Sequence, residues 1–316
     1  MQAIKEWSSR IRQNVGKVFF GKDQAVDTML TALLCGGHVL LEDVPGLGKT
    51  ILARAVSISL GGKFSRIQAT PDLLPNDVLG LSVYSQKKEE FTFKPGPIRA
   101  NIVLVDEINR ATPRTQSAFL EAMAESQVSI DGKVMRLPEP FFLIATENPT
   151  EFEGTFPLPE AQKDRFFMTV QIGYPPRDAE SQMLENQRRI THPVTDLEPV
   201  SSLEEVSAFK ETVVSVHVEQ NIKNYILDLV NATREGSHFR LGVSPRGSLA
   251  LYKGAQAHAA LSGRDYVIPD DVKQVFLPIC VQRVILASDY LIKGGSPGEA
   301  LGSVLSSTEV PPVRQD

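Results

Sequence analysis

The stretch His38-Val39-Leu40-Leu41-Glu42-Asp43-Val44-Pro45-Gly46-Leu47-Gly48-Lys49-Thr50 restricts the fold more than any other part of the 316-residue chain. A short apolar run leads into a turn of small residues, and Lys-Thr opens a helical pattern, Ile51 to Leu60, that stops at Gly61-Gly62. Strand, glycine loop, Lys-Thr and helix in that order is the context a phosphate-binding loop requires. Glycine lets backbone N–H groups turn inward with no Cβ in the way, and the start of a helix adds a favourable field for an anion. On this reading Pro45, Gly46, Leu47, Gly48, Lys49, Thr50 and Ile51 cradle a nucleotide. Lys49 holds the β- and γ-phosphates, and the Thr50 hydroxyl ligates magnesium. The first glycine usual in such loops is replaced by Asp43.

Up to about Ile172, short apolar runs alternate with helical patterns. The runs are 38–41, 64–67, 102–105, 141–145 and 166–170. Most are apolar throughout, which is the pattern of strands covered by helices on both faces. The alternation predicts an α/β unit on a parallel sheet. Between the third and fourth runs, Thr112-Pro113 opens a helix whose apolar face is Ala118, Phe119, Ala122 and Met123. Gln127 to Arg136 follows as two short runs joined by Asp131-Gly132, a strong hairpin signal. Gly173-Tyr174-Pro175-Pro176 then ends the alternation as a linker. Beyond it the pattern is helical over 177–189, 203–211, 219–233, 245–261 and 269–286, with Pro278 expected to bend or split the last. The chain therefore reads as an α/β domain over 1–173, a smaller all-helical domain over 174–294, and a Gly-, Ser- and Pro-rich tail over 295–316 that frays.

The third run ends in Asp106-Glu107. Two adjacent acids at the end of a buried strand are costly to charge, so folding alone accounts for them poorly. Strand ends of parallel sheets are also where ligands bind. Asp106 is expected to support magnesium, and Glu107 to polarise a water that attacks the γ-phosphate.

Such motifs by themselves indicate only a P-loop NTPase. The longer strings Asp106-Glu107-Ile108-Asn109-Arg110-Ala111, Leu158-Pro159-Glu160-Ala161-Gln162-Lys163-Asp164-Arg165-Phe166 and Ser244-Pro245-Arg246 resemble the motif set of the MoxR family of AAA+ ATPases. With Val44 to Thr50 they cover most of the chain from residue 20 to 290. The resemblance implies a P-loop AAA+ core, a parallel five-stranded sheet with flanking helices, followed by a smaller all-α lid. It implies ATP and Mg2+ held between neighbouring subunits of a ring, usually a hexamer. Two insertions are implied as well, one in the second helix around Tyr84 to Pro95 and the hairpin at 128–136, facing a pore or substrate.

Single residues carry over by motif. Asn148 resembles sensor 1, which orients the attacking water; the family commonly has Gln just before it, where this chain has Glu147. Arg165 resembles the arginine finger supplied to a neighbour, and could equally form an ion pair with Asp164. Arg246 resembles sensor 2. It lies at a helix start, where a cation is disfavoured, which hints at an anionic partner. The sequence leaves open whose nucleotide it serves. Phe19-Phe20-Gly21-Lys22 matches the segment that borders adenine, with Phe20 and Gly21 as contacts unless the phenylalanines are core. Gln68 is a candidate link between substrate binding and Glu107.

Lys plus Arg total 33 and Asp plus Glu total 38, a formal net charge of −5 that indicates no phosphate-backbone binder. No apolar run approaches the roughly 20 residues that span a bilayer, and Met1 to Trp7 reads as an amphipathic helix rather than a secretory leader. Cys35 and Cys280 read as reduced thiols of a cytoplasmic protein. The five histidines show no metal-ligand spacing. The function expected is ATP-driven, chaperone-like remodelling of client or adaptor proteins, plausibly with von Willebrand A domains as the resemblance suggests. The alternatives are an ATPase stimulated by nucleic acid through Lys133 and Arg136 of the hairpin, and a non-enzymatic, nucleotide-gated scaffold suggested by Asp43 and Glu147.

Overall fold

A computed structural model describes residues 1–86, 89–130, 132–148, 154–186 and 193–311. The chain opens with α1 (Gln2–Gly16), whose Ile4, Trp7, Ile11 and Val15 recur every three or four residues and bury one stripe against later elements. The α/β part continues as α2 (Asp23–Leu34), β1 (Val39–Glu42), α3 (Lys49–Ser59), β2 (Phe64–Gln68) and α4 (Pro75–Leu79). Then come β3 (Gly80–Ser85), β4 (Glu90–Pro95), β5 (Ile102–Asp106), α5 (Pro113–Glu125), β6 (Gln127–Ile130) and β7 (Lys133–Arg136). β8 (Phe142–Glu147), α6 (Glu160–Lys163) and β9 (Met168–Val170) complete it. All five predicted strands pair in parallel, in the order β2-β5-β8-β1-β9. β8 lies at the centre with all six residues buried, as a strand with helices on both faces must be.

The sheet divides two apolar cores. On one face lie α1, α2, α3 and the lid helices; on the other lie α4, α5 and the β6–β7 hairpin. β6 and β7 pair as expected, Gln127 opposite Arg136 and Ile130 opposite Lys133, while Asp131 lies outside the described residues. Thr112 does sit at the N-cap of α5, but its hydroxyl faces Thr115 Oγ1 at 3.3 Å rather than a backbone N–H. The insertion near Tyr84 to Pro95 is an antiparallel hairpin, β3 with β4, rising directly from α4. Its base requires glycine: a Cβ on Gly80 would stand 2.4 Å from Lys94 O, and one on Gly96 2.2 Å from Val78 O.

The lid holds α7 (Arg177–Asn186), α8 (Leu203–Val213), α9 (Gln220–Glu235), β10 (Phe239–Leu241), α10 (Pro245–Leu261) and α11 (Pro269–Cys280). β11 (Ile285–Leu286), α12 (Ser288–Ile292) and α13 (Pro297–Ser307) follow. Residues 187–189, included in the first predicted lid helix, lie outside the described residues. Two predicted boundaries shift. α11 stops at Cys280, two residues after Pro278, because Arg283 turns inward to bond Phe166 O and Asp164 and Ile285-Leu286 pair with β10. The segment after Gly294, expected to fray, forms α13. Ser296 accepts from Glu299 N while the Glu299 carboxylate accepts from Ser296 N, a capping box with Pro297 in the first turn. Ala300, Leu301 and Val304 then bury against α9 and α11, so this stretch belongs to the lid.

Candidate functional site

Four strand ends lie level at one edge of the sheet. Leu41 pairs with Thr146 and Glu42 with Glu147, while Val105 pairs with Ala145 and Gln68 with Asp106. The phosphate loop leaving β1 and the acids leaving β5 are thus separated by the single strand β8, about 10 Å at two interstrand spacings. In the loop, Gly46 and Gly48 have φ of +87° and +81°, values that favour glycine. A Cβ at Gly48 would also meet the Phe19 ring at 3.1 Å, so the loop packs on that ring. The Lys49 ammonium folds back to donate to Asp43 O. Burial lowers its pKa, against the opposing pull of Asp43, Asp106 and Glu107, so all three acids lie within its field.

Asp43 has its own work. Its carboxylate accepts from Ile172 N at 2.6 Å and Gly173 N at 2.7 Å, and from Val44 N at 3.1 Å. The residue that replaces the usual first glycine joins the phosphate loop to the linker into the lid.

The two acids are held by Thr146 on β8. Its Oγ1 donates to Asp106 Oδ1 at 2.7 Å and accepts from Glu107 N at 2.8 Å. Asp106 Oδ2 pairs with Arg66 at 2.7 Å. Glu107 sits at φ +56°, uncommon for a residue with a side chain and worth roughly 1–2 kcal/mol of strain. Strain of this kind persists where surroundings impose it, typically at functional positions. Its carboxylate faces Gln68 Nε2 at 3.3 Å and Arg110 at 3.2 Å, so the contact anticipated for Gln68 is present.

Asn148 follows the end of β8, buried, between the loop and the acids. The additional charge of Glu147 is compensated: Lys163 approaches it at 2.9 Å and Glu42 at 3.3 Å. Burial disfavours the Lys163 ammonium, but the two carboxylates outweigh it and raise its pKa.

The other motif residues have different partners. Arg165 is exposed and donates to Leu120 O on α5, on the opposite sheet face from α3, so it does not join the cluster of its own chain. The ion pair with Asp164 considered for it goes instead to Arg283 at 2.8 Å and Arg246 at 3.9 Å. Arg246, 62% exposed at the start of α10 beside the Ser244 cap, meets the α/β part at Asp164. Phe19, rather than Phe20, touches the loop; Phe20 is half-buried, and Gly21 packs against Pro176 and Ala179 at the start of the lid.

This geometry meets the comparisons with known proteins. A family model described as the ATPase family associated with various cellular activities (AAA) matches residues 38–168, and an AAA lid domain model matches residues 231–301. Protein YeaC of Bacillus subtilis is 47% identical over 302 residues, covering 96% of this chain and 94% of that protein. Chaperone MoxR1 of Mycobacterium tuberculosis is 40% identical over 308 residues, with 95% and 81% covered. Protein MoxR of Paracoccus denitrificans is 32% identical, with 91% and 92% covered. The chain belongs to the MoxR family of AAA+ ATPases. A crystal structure from Cytophaga hutchinsonii, 34% identical, superposes with a TM-score of 0.91 over 98% of this chain and 97% of that one. Family membership makes the chain an ATP-binding ATPase.

Sequence reasoning passed over three contributors here. Thr146 lies between the apolar run 141–145 and Glu147, but nothing in its type marks it as the hydroxyl joining both acids. Arg66 was findable, because the period of two in a strand puts it on one face with Gln68, beside Asp106. Lys163 was legible only as part of a motif. A magnesium ion is chemically suited to the Thr50 hydroxyl and the Asp106 carboxylate, both oxygen donors. Among the described residues no group of three or more His, Cys, Asp or Glu side chains forms a metal cage, and no helix is long and apolar enough to cross a membrane.

Proposed function

We propose that this chain hydrolyses Mg-ATP at a site shared between protomers of a ring, a hexamer by analogy with its family, and uses the energy to remodel client proteins. The observation that carries the reading is Glu107, strained at positive φ and held by Thr146 within the electrostatic reach of Lys49. In this scheme the loop from Pro45 to Ile51 holds the triphosphate, with Lys49 on its β- and γ-oxygens. Thr50 and Asp106 hold magnesium, which neutralises phosphate charge when bound. Glu107 accepts the proton of the attacking water and Asn148 orients that water. Phe19, with Phe20 and Gly21 near the lid, borders the base.

Arg165 rests on α5, on the opposite sheet face from α3, which supports its acting on the nucleotide of a neighbour, while Arg246 pairs with Asp164 at the start of α10. A finger supplied in this way is worth about a thousandfold or more in rate. The β3–β4 hairpin supports a protein client: Tyr84 and Phe91 stack edge-to-face at 5.4 Å on its surface, 51% and 73% exposed. A partner with a von Willebrand A domain is the class we favour, and the relative named a chaperone agrees with a protein client.

The test is phosphate release per chain, measured across protein concentrations down to those where light scattering reports monomers, with and without duplex DNA. A shared site gives a rate per chain that rises with assembly and is indifferent to DNA. A rate that ignores assembly overturns the shared site, and stimulation by DNA moves the reading to nucleic acid.

A further inference from the structure

Lys163, Asp164 and Arg165 are consecutive, yet each side chain reaches a different part of the molecule. Lys163 meets Glu42 and Glu147, the last residues of β1 and β8. Glu42 immediately precedes the phosphate loop and Glu147 immediately precedes Asn148. Asp164 meets Arg283 and Arg246 of the lid, and Arg165 rests on α5. The helix that carries Lys163, α6, is only four residues long and has no buried residue. It rests on the turn at Val281–Arg283, and the ion pairs of Lys163 are its tie to the strand ends. One ammonium between two carboxylates leaves an excess negative charge in a poorly solvated place, where Glu147 is 8% exposed. Such a pair responds strongly to any charge brought nearby, and a triphosphate with its counter-ion arrives one or two residues away.

We propose that Lys163 is a positioning residue that couples the phosphate site of its own chain to the Arg165 that serves the next. The proposal rests on the shared-site reading above. Binding at the strand ends shifts Glu42 and Glu147, Lys163 follows, and Arg165, two residues on, is presented or withdrawn.

The experiment is complementation in rings assembled from mixed variants. Lys163→Met alone should bind ATP within about twofold of wild type, release phosphate at least about tenfold more slowly, and recover with Lys163→Arg. Glu107→Gln alone is inactive but presents a normal Arg165. Mixed in equal parts before assembly, the two should restore phosphate release to about a quarter of wild type, since one junction in four pairs an intact Glu107 with an intact donor. A mixture of Arg165→Ala with Glu107→Gln serves as reference. If that reference recovers and the Lys163→Met mixture does not, Lys163 acts only within its own site and the inference falls. If neither recovers, the shared site itself falls. Should Lys163→Met fail to fold because Glu147 is left unpaired, the double variant Lys163→Met/Glu147→Gln removes that charge and carries the same test.

Discussion

The Asp43 carboxylate holds the backbone N–H of Gly173 at 2.7 Å, so the first residue of the phosphate loop is bonded to the linker that leads into the lid. With Ile172 N and Val44 N on the same carboxylate and Lys49 on its carbonyl, Asp43 joins the glycine loop to the linker. Asp43→Gly restores the commoner loop residue and deletes those acceptors. Hydrogen bonds to a charged group contribute about 1.5–3 kcal/mol each, so the variant should lose on the order of 3 kcal/mol of stability. Denaturant unfolding of the nucleotide-free protein checks this; stability within about 0.5 kcal/mol of wild type would show that the carboxylate is dispensable.

Thr146→Val keeps the shape of the side chain and removes the hydroxyl shared by Asp106 and Glu107. Glu107 N loses its acceptor, and the carboxylate is no longer held in its strained orientation. Phosphate release should fall by about tenfold or more with ATP affinity nearly intact, a loss confined to turnover. Parallel nucleotide titration and turnover assays decide it, and a pure affinity defect would place Thr146 outside the catalytic geometry.

Arg165 touches its own chain only through Leu120 O among the contacts described. Arg165→Ala should therefore fold normally, bind ATP like wild type and lose about a thousandfold in assembled turnover. Thermal unfolding and phosphate release on one preparation are sufficient; retained turnover would remove Arg165 from the mechanism.

His38 is buried, with Nε2 toward Met123 O and Nδ1 accepting from Leu143 N, the neutral tautomer. Burial lowers its pKa from 6.5 to about 4. The unfolded chain takes up a proton near 6.5 while the folded chain resists it down to about 4. This group's contribution is therefore complete above 6.5 and is lost as the pH falls between those values, by about 3 kcal/mol in all. His38→Gln cannot titrate, so its stability should vary less over that interval. Denaturant unfolding at several pH values reads the slope, and equal slopes would show that His38 does not control it.

Periodicity and glycine placement made the sheet and the phosphate loop legible, because continuous apolar runs and an inward-turned backbone each demand particular residue types. The carboxylates at 106 and 107 were legible for a related reason: folding gives little cause to place charge at a buried strand end. Features that depend on partners distant in sequence were not. Asp43 looked like a defect in the loop until Ile172 and Gly173 supplied its partners. Glu147 looked like a disturbing charge until Lys163 supplied its partner. Arg246 was visible as a cation in the wrong field, but only tertiary contact put it beside Asp164. α13 was misread from composition, although Ser296 and Glu299 carry the spacing of a capping box.

The account centres on one pocket in which the loop at 46–50 binds a triphosphate and Glu107 drives its hydrolysis. The most direct measurement is ATP titration and phosphate release on Glu107→Gln and Lys49→Ala beside the wild-type chain. The account predicts that Glu107→Gln binds ATP as wild type does and releases no phosphate, while Lys49→Ala does not bind. Wild-type turnover by Glu107→Gln, or unchanged ATP affinity in Lys49→Ala, would contradict it.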